Sequence, residues 1–154
     1  MSLMTTLLSL HLLAAISWIG GIFLVDLFLV PVLRRHLAEP AARLTVIYAL
    51  FRAFFVWVWV AGAALLLSGV IMVFRLGGFG ALSGAVWVMV AGGSFMVVLA
   101  LYVFFVPFLT LHRAVQAADW PRAAAAARQI RWLSSVNLVL AVPVVVAGVR
   151  AFSG

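Results

Sequence analysis

Four long apolar stretches, at about residues 5–33, 46–74, 84–111 and 132–152, alternate with short segments that hold most of the charge. At about 1.5 Å of rise per helical residue, each is long enough to cross a hydrocarbon core of about 30 Å. The pattern predicts an all-α membrane protein. It places one transmembrane domain over residues 1–154, an up-down-up-down four-helix bundle with helices one and three on a diagonal. Composition agrees: the chain is 68% hydrophobic and 8% charged, more apolar surface than a soluble domain of this length can cover.

The segments between the spans carry start and stop signals. Glu39-Pro40 and Asp119-Trp120-Pro121 mark helix starts, with Asp119 as an N-cap and a proline in the first turn. Residues 119–131, with Ala123 to Ala127 set between arginines, favour a helix that runs on into the fourth span. Four glycines make residues 75–84 a short loop. Val30-Pro31-Val32-Leu33-Arg34-Arg35-His36 aligns with Val106-Pro107-Phe108-Leu109-Thr110-Leu111-His112, 76 residues later. This suggests two pseudo-repeated helical hairpins related by an axis along the membrane normal; convergent composition of two apolar helices is the other reading.

Charge then orients the bundle. All ten basic residues are arginines, against three acids, for a net charge of +7. Such a balance in a soluble protein would point to nucleic acid. Here Arg34, Arg35, Arg43, Arg52, Arg113, Arg122, Arg128 and Arg131 fall on one side of the membrane and only Arg75 and Arg150 on the other. The bias assigns the charge to topology, with no nucleic-acid partner. It predicts a multi-pass protein of a bacterial-type inner membrane with both termini outside, and residues 5–33 as a retained span. Cysteine is absent, which excludes disulfides, thiolate metal sites and covalent c-type haem. Two of the three acids, Glu39 and Asp119, lie in loops, which excludes paired-carboxylate catalysis.

An ionisable side chain inside a bilayer needs a partner or a task, so the few polar residues of the spans carry the functional information. His11, Ala15, Trp18, Ile22 and Asp26 share one face of helix one at about 100° per residue. Gly20 and Gly21 lie on other faces, where a neighbouring helix can approach closely. Asp26 and Arg52 lie at comparable depth and are predicted to pair, each being otherwise an isolated charge in hydrocarbon. Such a pair either fixes helix register or serves as a proton relay or an anchor for an anionic ligand group. If Arg52 instead snorkels to the surface, Asp26 is left to be protonated.

Met89, Gly93, Met96, Ala100 and Pro107 form a stripe on helix three that suits core packing. It equally suits a row of soft ligands, because Met89 and Met72 fall level with His11. Histidine with methionine is a ligand set for haem, and a methionine-rich site suits Cu(I). His36 and His112, which end the odd helices, offer a rival haem site with Arg34, Arg35 and Arg113 near the propionates. As juxtamembrane histidines they are equally well explained by simple exposure.

The stretch Leu10-His11-Leu-Leu-Ala-Ala-Ile-Ser-Trp18-Ile-Gly20-Gly21 resembles the opening helix of the CopD-like superfamily. The resemblance implies that His11 and Trp18 match that superfamily's first-helix histidine and tryptophan. One branch is associated with copper uptake across the inner membrane. Another binds b-type haem and oxidises protoporphyrinogen, with an arginine and a Tyr-His pair soon after the tryptophan. Here that region reads Asp26-Leu27-Phe28-Leu29-Val30-Pro31.

Three functions emerge. The first is a haem b protein for electron transfer or tetrapyrrole handling, with His11 as axial ligand. The second ligand is a methionine, another histidine or a residue of a second copy in a homodimer, and Arg52 or loop arginines hold the propionates. If it turns over, it is a membrane oxidoreductase with an electron-transfer or quinone partner. The alternative is a copper transport or resistance protein using His11 with Met72, Met89 or Met96. The third is a structural subunit of a membrane complex, in which Asp26 and Arg52 serve packing alone.

Overall fold

The computed structural model describes residues 2–152, with side chains described as far as Ala151. The helices are α1 (Leu3–His36), α2 (Pro40–Arg75), α3 (Gly84–Gln116) and α4 (Trp120–Phe152). All four are long and apolar enough to cross a membrane, and there is no strand among the described residues. The chain is an all-α, multi-pass membrane protein. Its helices overrun the predicted spans, because the arginines and alanines that flank them are good helix formers and prolong the coil beyond hydrocarbon.

Local chemistry sets the ends. Ser2 Oγ accepts from the Thr5 N–H at 3.2 Å, Ser83 Oγ from the Val86 N–H at 3.4 Å, and Asp119 Oδ1 from the Arg122 N–H at 3.1 Å. Each satisfies a donor that a helix start leaves free. α2 stops where Gly77 takes φ +99°; the Gly78 N–H then bonds the Val73 carbonyl and the Gly77 N–H the Phe74 carbonyl, closing the last turn. α3 closes in the same way, but with Ala118 at φ +53°, a conformation that costs a non-glycine residue about 1 kcal/mol.

α1 packs along α2 and α3 along α4, while α4 also touches α1 and α2; α1 and α3 lie across the diagonal. α2 meets α3 through aromatic contacts, Phe55 with Phe104 and Phe108, and Trp59 with Phe104. Because lipid gives no hydrophobic drive between helices, close packing must hold them together. Gly21 admits the ring of Phe54, and a Cβ on Gly92 would lie 2.5 Å from Val144 Cγ2. Gly20 faces open space. The largest fully buried apolar side chains, Val30, Pro107, Leu111 and Ile130, gather in the half of the bundle that carries most of the arginines, while Ser68 is buried toward the other end.

Both odd helices contain a π turn, Val25–Leu29 in α1 and Phe104–Phe108 in α3. Pro107 lies inside its turn and Pro31 two residues after its own; a proline ring displaces the carbonyl four residues earlier and removes a donor. The two aligned Val-Pro segments of the sequence therefore each adjoin a π turn, which precedes the segment in α1 and overlaps it in α3.

Candidate functional site

His11 faces α2. Its Nδ1 lies 2.8 Å from Ser68 Oγ, and its ring rests on Gly69, where an added Cβ would be 3.4 Å from Cε1. Ser68 is almost fully buried, and its single hydroxyl proton is donated to the Ala64 carbonyl at 2.5 Å. The proton between serine and histidine must then come from the histidine: Nδ1–H donates, and Nε2 keeps its lone pair. A hydrogen bond that fixes the tautomer in this way is the usual support behind a metal-binding imidazole. Met72, one turn beyond Ser68 on the same face of α2, is buried. Met89 lies elsewhere: its Sδ would be 3.6 Å from a Cβ on Gly148 of α4. Met96 is buried in α3. The two methionines of the α3 stripe thus sit in packed positions, Met89 against α4 and Met96 within the bundle.

Asp26 is 3% exposed, at the first turn of the α1 π segment. The predicted partner, Arg52, is corrected by the structure. Arg52 points out of the bundle, the placement from which an arginine snorkels, and the cation whose field reaches Asp26 is Arg131 of α4. Arg131 reaches it through the main chain, with Nη2 donating to the Asp26 carbonyl at 3.3 Å. The backbone explains why that carbonyl is available. The Val30 N–H, its α-helical partner, bonds Val25 instead, and Pro31, five residues on, has no N–H. Both Asp26 carboxylate oxygens are buried without a hydrogen-bond partner.

Trp18, from the same face as His11, is buried and lines a crevice at the bundle centre with Ile22, Phe51, Phe55, Ser134 and Asn137. The crevice holds about 20 Å³, room for about one water. A porphyrin does not enter there unless the helices part. At the arginine-rich end, His112 Nδ1 is 2.7 Å from the Tyr48 hydroxyl, and their rings pack at 5.4 Å. His36 ends α1 in an exposed position. Among the described residues, no three His, Asp, Glu or Cys side chains converge as a metal-ligand set.

The family model for copper resistance protein D matches residues 48–150. The chain belongs to the copper resistance protein D family. The match covers most of α2, all of α3 and nearly all of α4, and leaves out the first helix, where His11, Trp18 and Asp26 lie. No curated protein and no solved structure matches the chain. Within this family, membership supports a copper-resistance-related membrane protein.

Four residues at these sites escaped the sequence reading as partners: Ser68, Arg131, Tyr48 and Asn137. Ser68 and Asn137 are polar interruptions of apolar spans, a signal that was present but carried no indication of what each would meet. Arg131 was absorbed into the topology bias, and Tyr48 was masked by the aromatic composition of α2.

Proposed function

We propose that this copper resistance protein D family member handles Cu(I) within the membrane, and that His11 is its entry ligand. One observation carries the reading: Ser68, committed to the Ala64 carbonyl, holds His11 in the tautomer whose Nε2 is free to bind a soft cation. Met72, on the same face of α2, is the thioether closest to this arrangement along the helix, and thioether with imidazole suits Cu(I). Copper here is cargo. A site with few protein ligands favours transfer over storage, since an ion must leave as readily as it enters. The charge bias supports an inner-membrane orientation in which the His11 end faces outward.

The test is an anaerobic Cu(I) competition against a chromogenic chelator, on detergent-purified wild type, His11→Ala, Ser68→Ala and Met72→Leu, with visible spectra of each sample. Wild type should retain Cu(I). His11→Ala should weaken it at least tenfold, and Ser68→Ala by a smaller factor, because the imidazole remains but its tautomer is released. Equal retention in wild type and His11→Ala overturns the reading. A Soret band that disappears with His11→Ala would also overturn it, replacing copper by haem on the same histidine.

A further inference from the structure

At the arginine-rich end a cavity of about 310 Å³ opens between α1, α2 and α4. Its floor is apolar (Val30, Leu44, Ile47 and two alanines of α4), and its polar groups are four arginines, Arg34, Arg43, Arg128 and Arg131. Arg34 lies in the fields of the other three, and no acid lines the space. Arg43 is committed in part, with Nη1 donating to the Leu37 carbonyl at 3.1 Å. Arg131 uses Nη2 on Asp26, while its Nε is buried with no partner. Arg34 and Arg128 are exposed at the rim. Four like charges held around a partly enclosed space repel one another unless an anion joins them.

The geometry points to a binding site for a phosphate-bearing anion in this cavity. Guanidinium groups match phosphate oxygens two at a time, and a cluster offers more donors than a single carboxylate would use. The volume is about ten times the share of one water in liquid, enough for a phosphodiester with part of its glycerol. The apolar floor, set between membrane-spanning helices, suits that glycerol and the start of an acyl chain, as in basic pockets that hold anionic headgroups. The inference does not rest on the copper reading.

The full-length chain in mild detergent tests it by native mass spectrometry and thermal unfolding. The probes are phosphatidylglycerol, phosphatidylcholine and inorganic phosphate. Phosphatidylglycerol should be retained and should raise the melting temperature by several degrees, whereas phosphatidylcholine should not. Arg34→Gln/Arg128→Gln should weaken that binding at least tenfold. Arg113→Gln/Arg122→Gln, which removes equal charge from the same end outside the cavity, should keep it. Equal protection by inorganic phosphate, lost in the cavity variant, would assign the site to free phosphate. Equal binding of phosphatidylcholine, or identical behaviour of the two double variants, overturns the proposal. Should the cavity variant fail to fold, the exposed Arg34→Gln alone must still reduce retention.

Discussion

In α1 the π turn at Val25–Leu29 surrounds a buried carboxylate and leans on an arginine from α4, whereas in α3 the turn at Phe104–Phe108 is enclosed by aromatic rings. Both begin from the same cause, a proline that cannot complete the ladder. Both turns close with a wide bond, Val30 N–H to the Val25 carbonyl and Leu109 N–H to the Phe104 carbonyl, but around the α3 turn Phe55, Phe104 and Phe108 pack ring on ring at 4.8–5.3 Å. In α1 the Asp26 carbonyl is taken by Arg131, 105 residues away. A backbone defect closed within one helix gives local packing; one closed by another helix ties the first hairpin to the last span.

The largest effect should come from cutting that tie. Arg131→Met leaves Asp26 buried without its cation and should lower stability in detergent by about 3 kcal/mol. Adding Asp26→Leu should recover at least half of the loss, and a denaturation series on the four proteins measures the coupling. If Arg131→Met proves as mild as Arg128→Met, the two π turns do not differ in the way described.

Phe108→Ala should come next. It removes a buried ring that touches Tyr48, Phe55 and Phe104, at about 2 kcal/mol by the same assay. Its effect should add to that of Arg131→Met within about 0.5 kcal/mol, as distant sites do. Strong coupling would mean that the two turns act together.

The smallest effect is the most discriminating. Pro31→Ala supplies an N–H five residues after Asp26, able to donate to the carbonyl that Arg131 now serves. In that background the penalty of Arg131→Met should fall by about 1 kcal/mol, the worth of one hydrogen bond. Pro107→Ala should leave the penalty unchanged. A fall with either proline removed would show a general loosening instead of repair at one carbonyl.

The helices, their order and the diagonal placement of α1 and α3 were legible because length and hydropathy decide them in a bilayer. The caps at Asp119 and the glycine turn at Gly77 were legible because they are local. Partners were another matter. Asp26 was seen to need a cation, but depth alone selected Arg52, and depth says nothing about which face a residue presents. Arg52 faces out of the bundle on α2, and the π turn, unreadable from spacing, leaves the Asp26 carbonyl for Arg131. His11 was singled out for its place in an apolar helix, yet its tautomer depends on a serine whose own proton is committed to a third group. Such three-body arrangements leave no periodic trace in a sequence.

The π turn also resets the angular phase of α1. Trp18, Ile22, Asp26, Val30 and Arg34 are spaced by four, a series that in an unbroken α-helix drifts about 40° per step and would leave the core by its end. Yet Trp18, Ile22, Asp26 and Val30 are all buried, and Arg34 opens onto the arginine cavity. The wider turn takes back roughly a quarter of a revolution, so both halves of the helix address the same interior. Ordinary pitch forced on the same number of residues would swing Arg34 by about 100° toward lipid, while His11 stayed in place. Deleting one residue between Val25 and Leu29 would instead remove the wide turn and its extra residue together, so His11 and the arginine cavity would keep their register and only the stretch between them would change.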